Sequence, residues 1–358
     1  MTTFFIVAIL ALGFLITFQI GKASEYVAVL RGEENAKKQN NKVNAFILLA
    51  FLILGMIGVY YCNERLKGKI LGEAASVHGD RIDSMLYITI AVTGLVFVIT
   101  QIALFWFAFR YQASDDRKAY FFPHNNKLEI LWTVVPAIFL TVLVGFGLYY
   151  WFKITGDAPP NALQVEITGS QFKWEYRYAG RDGIFGKKYF KKIDPAQNNP
   201  LGQLWEDAAN HDDIVLENGD LHLIVGRPVK LIINAKDVIH DVGLAHFRMK
   251  MDAVPGTPTT MWFTPKFTTK QAKDKWGPEF VYEISCDQMC GKGHFSMRGT
   301  IVVETQEEFD RWMASQKPKY FAAFPDRDPN AKKTDTTAKK ADSTKVAAVA
   351  VPGSKTMN

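Results

Sequence analysis

Apolar residues come in four long, almost charge-free runs along the first part of this chain, and then their period changes. The runs cover residues 4–20, 45–61, 85–109 and 131–152. Each approaches or exceeds the roughly 20 residues a helix needs to cross a bilayer, so four transmembrane helices are predicted. No Lys or Arg precedes the first run and no A-x-A-like site closes it, so it reads as a retained helix rather than a cleaved signal peptide. Cys62, at the end of the second run, reads as an ordinary helix residue. From residue 161 onward there are shorter runs rich in Val, Ile, Tyr and Phe, at 163–168, 172–178, 221–225, 229–234, 280–285 and 300–304, with Gly, Pro and Asn between them. They predict strands of a compact β-sandwich or barrel. The polar excursion between Gly180 and Asp220, with Gly183, Gly186, Pro195 and Pro200, reads as a surface insertion. Thr305 and Glu308 form a capping-box pattern ahead of a short helix reaching about Ser315. Beyond Pro325 the chain is Lys, Ala, Thr and Asp with few large apolar residues, the composition of a disordered tail.

Charge refines this outline. The formal net charge is +6, but residues 331–358 carry six Lys against two Asp and supply +4 of it. The remaining +2 argues against a nucleic-acid binder. The loop after the first run holds Lys22, Arg31, Lys37, Lys38 and Lys42, and the loop after the third holds Arg110, Arg117, Lys118 and Lys127. Between them, the loop after the second run has Arg65, Lys67, Lys69 and Arg81. Cytoplasmic loops retain the excess of basic residues, so both termini are expected outside, with everything after Lys153 in the periplasm of a bacterial inner membrane. The resulting division is an N-terminal transmembrane hairpin (1–62), a periplasmic loop (63–84), a second transmembrane hairpin (85–153), a periplasmic β domain (154–324) and a tail (325–358).

The chemistry concentrates in one segment. Residues 286–297 read C-D-Q-M-C-G-K-G-H-F-S-M, and His240 lies 46 residues before Cys286 in the loop after the 229–234 strand. Three cysteines are too few for a disulfide framework, and thiolate, imidazole and thioether together form a soft ligand set that selects copper over magnesium, calcium or manganese. One copper needs only one Cys; the second Cys in the same loop allows two thiolates to bridge two copper ions. Each copper then takes one imidazole, His240 on one and His294 on the other. Met297 supplies a weak axial bond to one metal and the backbone carbonyl of Gln288 a weak axial bond to the other. Such a bridge spreads the charge of one electron over two metals and suits one-electron relay rather than bond-making chemistry. Gly291 offers the positive φ that a tight loop between ligands demands.

With these residues in hand, the chain resembles subunit II of cytochrome c oxidase over residues 85–317. The resemblance rests on C-x-x-x-C-G-x-x-H-x-x-M at 286–297, V-I-H-D around His240 followed by K-M-D-A-V-P-G at 250–256, the aromatic strand G-S-Q-F-K-W-E-Y-R-Y at 169–178, and L-E-I-L-W-T-V-V-P-A-I at 128–138. It implies a cupredoxin-like Greek-key β-barrel carrying a two-copper centre, anchored by helices that pack on the large haem subunit (subunit I). It implies a respiratory chain role: electrons pass from cytochrome c to the copper centre, then to haem and oxygen, with proton pumping in subunit I. Phe172 stands where the family has the tryptophan used for electron transfer from the donor, and Trp174 keeps the second aromatic position. Glu129 matches the family's proton-uptake carboxylate at the start of the fourth helix. Gln288 replaces the usual Glu; its carbonyl still reaches copper, but its neutral side chain weakens any claim to a magnesium ion shared with subunit I. The two N-terminal helices exceed the family's usual two and read as a contact for an extra subunit or a neighbouring complex, a respiratory supercomplex. A nitric oxide reductase resembles the same arrangement, since the large subunit decides the substrate, and a free-standing membrane cupredoxin that stores copper is the reading outside enzymes.

The donor is expected to be a separate cytochrome c or cytochrome c domain, because no C-x-x-C-H haem-attachment motif occurs in this chain. Residues 205–220 hold Glu206, Asp207, Asp212, Asp213, Glu217 and Asp220 without one Lys or Arg. A one-signed surface steers opposite charge, so these acids are the expected docking site for a cationic donor.

Overall fold

The structure is a computed structural model and describes residues 2–67, 72–114 and 116–329. The chain opens with four long helices: α1 (Thr2–Arg31), α2 (Glu33–Leu66), α3 (Val77–Arg110) and α4 (Asn126–Thr155). Three of them, α2, α3 and α4, are long and apolar enough to cross a membrane. The span expected over residues 4–20 falls in α1, where the side chains of residues 4–10 lie outside the described ones. The helices outrun the apolar runs. A 34-residue helix such as α2 or α3 is about 51 Å long, against a hydrocarbon core of about 30 Å. The polar stretch 21–44, expected as a loop, is therefore helical on both sides of Gly32, which takes φ +81°. Its Lys, Glu, Gln and Ala content favours helix, and Glu33 and Glu34 complement the dipole at the start of α2. Ion pairs one turn apart, Lys22 to Glu25 (2.8 Å) and Glu34 to Lys38 (3.3 Å), support the same stretch.

Among the described residues ten strands follow: β1 (Leu163–Ser170), β2 (Lys173–Tyr178), β3 (Ile214–Leu216), β4 (Leu221–Ile224), β5 (Val229–Ala235), β6 (His240–Leu244), β7 (Met249–Ala253), β8 (Thr259–Phe263), β9 (Tyr282–Cys286) and β10 (Arg298–Glu304). They form two five-stranded sheets, ordered β3-β2-β1-β5-β8 and β4-β10-β9-β6-β7. Alternation decides which face is buried: Val229, Leu231 and Ile233 of β5 point into the core while Lys230 and Ile232 are half-exposed. Ile167, Tyr176, Leu223, Phe247, Phe263, Tyr282 and Ile301 complete a core in which each is 2 % exposed or less.

The six expected strands all occur, shifted by a residue or two at their ends. Four further strands, β3, β6, β7 and β8, were not legible as periodic runs. β6 reads H-D-V-G-L and is buried along its whole length, so it shows no alternation. β7 carries Lys250 and Asp252, which mask its pattern. Helix α6 (Gln306–Ser315) starts at Thr305 as expected: the Thr305 hydroxyl accepts from the Glu308 N–H and Glu308 accepts from the Thr305 N–H at 2.9 Å. The same signature at Thr268 and Gln271 caps α5 (Thr269–Trp276), a helix the sequence reading passed over.

Residues 180–214 form a compact unit of their own together with the described part of the chain after residue 317, including α7 (Lys319–Ala323). Tyr320 of α7 stacks on His211 at 3.9 Å and meets Trp205 edge-on at 5.8 Å. The expected surface insertion therefore has a small aromatic core. Its partner is the segment just after α6, which sequence separation concealed. Residues 325–327, at the start of the expected tail, form a turn of 3₁₀-helix, and residues 330–358 lie outside the described ones.

Candidate metal centre

The ligand types singled out in the sequence converge at one end of the second sheet. His240 is the first residue of β6 rather than a loop residue, and Cys286 is the last of β9. These strands are neighbours, with Val242 opposite Cys286, so the pairing itself brings a residue 46 positions away beside the cysteine loop. The loop leaves β9 at Cys286 and returns through a 3₁₀ turn (His294–Ser296) to β10, closed by the Cys286 N–H donating to the Met297 carbonyl at 3.1 Å. Gly291 takes φ +132°, as the loop reading expected. A Cβ at Gly293 would lie 2.4 Å from the Phe172 ring, so a larger residue there would displace it.

Donor atoms are spaced evenly around the two sulfurs. Cys286 Sγ and Cys290 Sγ are 3.8 Å apart. His240 Nδ1 lies 3.8 Å from Cys286 Sγ and the Gln288 carbonyl oxygen 3.2 Å from it. On the other side, His294 Nδ1 is 3.8 Å and Met297 Sδ 3.9 Å from Cys290 Sγ. His240, Cys286, Cys290 and Met297 are buried and His294 is half-buried. Burial first, then the neighbouring Cys286 sulfur, pushes the Cys290 thiol up to about 11. Metal binding would reverse that balance, because thiolate is the ligand form. Soft sulfur and imidazole donors at these separations fit copper.

Three supporting residues were missed in the sequence. Asp237 Oδ1 lies 2.8 Å from His240 Nε2 while Nδ1 faces the sulfurs, so with the proton on Nε2 the carboxylate accepts that N–H and Nδ1 is left free to ligate. Burial alone would raise the Asp237 carboxyl, but the Gln171 N–H, the His240 ring and the Val238 N–H together hold it below the ordinary carboxylate range. The signal available was a carboxylate three positions before the ligand histidine. Gln171 donates its side-chain amide to the Cys290 carbonyl at 2.6 Å and ties the aromatic strand to the loop. Asp241 is buried on β6 directly opposite Asp252 on β7. Burial, then Asp252, raises its carboxyl to about 7, with Asp287 adding to the effect and Lys250 opposing it.

The remaining sequence expectations fare unevenly. Trp174 is buried and meets the His240 ring at 6.1 Å, and Phe172 lies against Gly291 and Gly293 of the loop. Glu129 lies in the first turn of α4, exposed, and accepts from the Asn125 N–H at 3.3 Å. The acidic run does not form a charged face. Asp213 is fully buried, with Oδ2 accepting from the Gly186 N–H at 3.3 Å, so it is withdrawn from any docking surface. Asp207 accepts from the Lys187 and Ala209 N–H groups, Asp212 from the Asp182 N–H, and Glu217 pairs with Lys173 at 3.6 Å. Only Glu206 and Asp220 of the six are exposed. These aspartates are turn-formers that build the insertion.

A membrane-anchored two-sheet β domain with thiolates, imidazoles and a thioether gathered at one edge is an electron-carrier of the copper class. Family models place the chain within that class: residues 74–149 match "Cytochrome C oxidase subunit II, transmembrane domain" and residues 163–306 match "Cytochrome C oxidase subunit II, periplasmic domain". An alternative cytochrome c oxidase subunit 2 of Bradyrhizobium diazoefficiens is 34% identical over 236 residues, covering 66% of this chain and 80% of the relative. A cytochrome c oxidase subunit 2 of Thermostichus vulcanus is 25% identical, covering 68% and 77%. Among solved structures, the periplasmic domain of subunit II of cytochrome oxidase of Bradyrhizobium japonicum matches at 25% identity and TM-score 0.32, covering 46% of this chain and 99% of that one. This chain belongs to the cytochrome c oxidase subunit II family. It is a membrane-anchored subunit of a haem-copper respiratory oxidase, with a cupredoxin-like periplasmic domain and a copper centre that receives electrons.

Proposed function

We propose that the centre holds two copper ions bridged by Cys286 and Cys290, with His240 on one and His294 on the other. Met297 and the Gln288 carbonyl would be the weaker donors, one for each metal. The observation that carries this reading is the duplication around the sulfurs: each sulfur has its own imidazole nitrogen at 3.8 Å and its own weak donor, Gln288 O at 3.2 Å or Met297 Sδ at 3.9 Å. A single mononuclear site needs no second set. Copper bound there supplies reversible one-electron redox chemistry. The chain's own residues exclude water from the buried sulfurs, and Asp237 fixes the His240 tautomer. Metal analysis and electron resonance of the purified full-length subunit test the count: two coppers per chain with a mixed-valence spectrum are expected, and one copper, or zinc, overturns it.

The donor is a c-type cytochrome or cytochrome c domain that delivers electrons beside Phe172 and Trp174, and the charges that steer it reduce to Glu206, Asp220 and the less exposed Glu217, with Asp207 and Asp212 already engaged. Electrons leave for haem in subunit I, where oxygen is reduced to water and protons are pumped. Gln288 brings no carboxylate to a shared magnesium. Glu129 is the proton-uptake carboxylate at the cytoplasmic start of α4; full turnover of Glu129→Gln at every pH removes that role. The membrane part comprises four spans in a bacterial inner membrane, α1 and α2 contacting a further subunit or complex, with residues 154–324 in the periplasm.

A further inference from the structure

The turn between β6 and β7 contains a non-glycine residue in left-handed backbone. Arg248 has φ +58° and ψ 34°, a region that favours glycine. Its side chain is 10% exposed and forks onto Asp83 of α3, Nε to Oδ1 at 2.7 Å and Nη2 to Oδ2 at 3.1 Å, with Asp83 itself 20% exposed. Nη2 also donates to the Gly72 carbonyl at 2.6 Å, and Nη1 to the Ala245 carbonyl at 3.0 Å. Such bidentate, part-buried pairs are the strong ones, whereas the nearby Lys266 to Asp80 pair has Asp80 49% exposed.

The pair reinforces a strap running from residue 72 into α3. The Ala75 N–H donates to the His246 carbonyl (2.8 Å) and the Ser76 hydroxyl to the Phe247 carbonyl (2.6 Å). The Val77 N–H donates to Thr264 (3.1 Å), and the Lys266 N–H returns to Ala75 (2.8 Å). A Cβ at Gly79 would lie 2.7 Å from Ala74 Cβ and 3.1 Å from Arg248 Cγ, so the bare glycine lets the strap and the arginine stem pack against the start of α3. The strand that ends at this turn, β6, begins at His240 and lies beside Cys286 in the neighbouring strand.

We propose that Arg248 is a positioning residue: through Asp83 it holds the turn after β6 on the start of α3, and so sets where the copper-ligand strands stand relative to the membrane helices. Electron transfer onward to the haem subunit depends on that placement. The proposal rests on the electron-receiving role of the centre. Its test uses the purified, assembled oxidase with Asp83→Asn, which alters no atom of the β domain, and with Arg248→Gly, which removes the side chain while relieving the backbone. In both, the absorption of the copper centre and its reduction by the donor are expected to stay unchanged. Time-resolved transfer from copper to haem is expected to slow severalfold, because electron tunnelling falls off exponentially with distance. Amide exchange at Ala75, Val77 and Lys266 is expected to quicken in the same preparations. Unchanged transfer in Asp83→Asn overturns the proposal. So does loss of the copper spectrum in that variant, which assigns the pair to folding the site instead. If the centre of the unaltered oxidase is not reduced by the donor before haem, the electron-receiving reading fails, while the exchange result still reports on the latch.

Discussion

The copper loop and the acidic insertion both looked functional in the sequence, and the fold treats them differently. In residues 286–297 five candidate ligands stand at short spacings, and the fold gathers them at two sulfurs 3.8 Å apart. In residues 205–220 six acids and no base looked equally purposeful, yet Asp207, Asp212 and Asp213 accept from backbone amides within the insertion, and Asp213 is fully buried. The difference is chemical. Thiolates, imidazoles and thioethers gathered in one loop have few structural uses together, whereas aspartate is a common turn and cap residue whose charge is spent locally.

That contrast breaks or holds under substitution. The largest effect is expected for Cys286→Ser, which abolishes the centre by metal analysis and stops donor oxidation by the assembled oxidase. Copper bound at full stoichiometry in that variant would remove the bridging role. Next comes Asp237→Asn, which leaves the ligands in place but removes the carboxylate that fixes His240; copper affinity, measured by competition with a chelator, should fall about 10- to 100-fold. On the other side of the comparison, Asp213→Ala should destabilise the insertion by about 1–3 kcal/mol, the scale for a lost buried hydrogen-bonding group, while the copper spectrum stays as it is. Limited proteolysis within residues 180–214 reads this directly, and an unchanged cleavage rate would show that the acid has no structural part. The smallest effect belongs to Glu206→Gln combined with Asp220→Asn. Exposed charges typically contribute a few tenths of a kcal/mol each, so donor oxidation at low salt should change by no more than about fivefold for the pair, with a shallower salt dependence. A collapse of donor oxidation here would restore the acidic-face reading.

A similar division runs through the fold. The membrane part was legible because a bilayer demands long apolar runs whatever the neighbours are, although the helices extend well past those runs into sequence that looked like loop. Among the strands, β5 was plain from its alternation. β6 was not, because both its faces are covered, and it carries the ligand His240.

By itself the sequence determined the transmembrane and β-rich halves, the soft ligand set, the loop glycine and the capping box at Thr305, since each depends on local composition or short spacing. Only the tertiary structure decided that β6 lies beside β9, that Asp237 holds His240, that Asp207, Asp212 and Asp213 are engaged inside the insertion, and that Arg248 meets Asp83 from 165 positions away. Those outcomes are pairings between distant segments. A single chain read in order records the preferences of each partner, but the partner itself is chosen by strand order and burial, which no local pattern encodes.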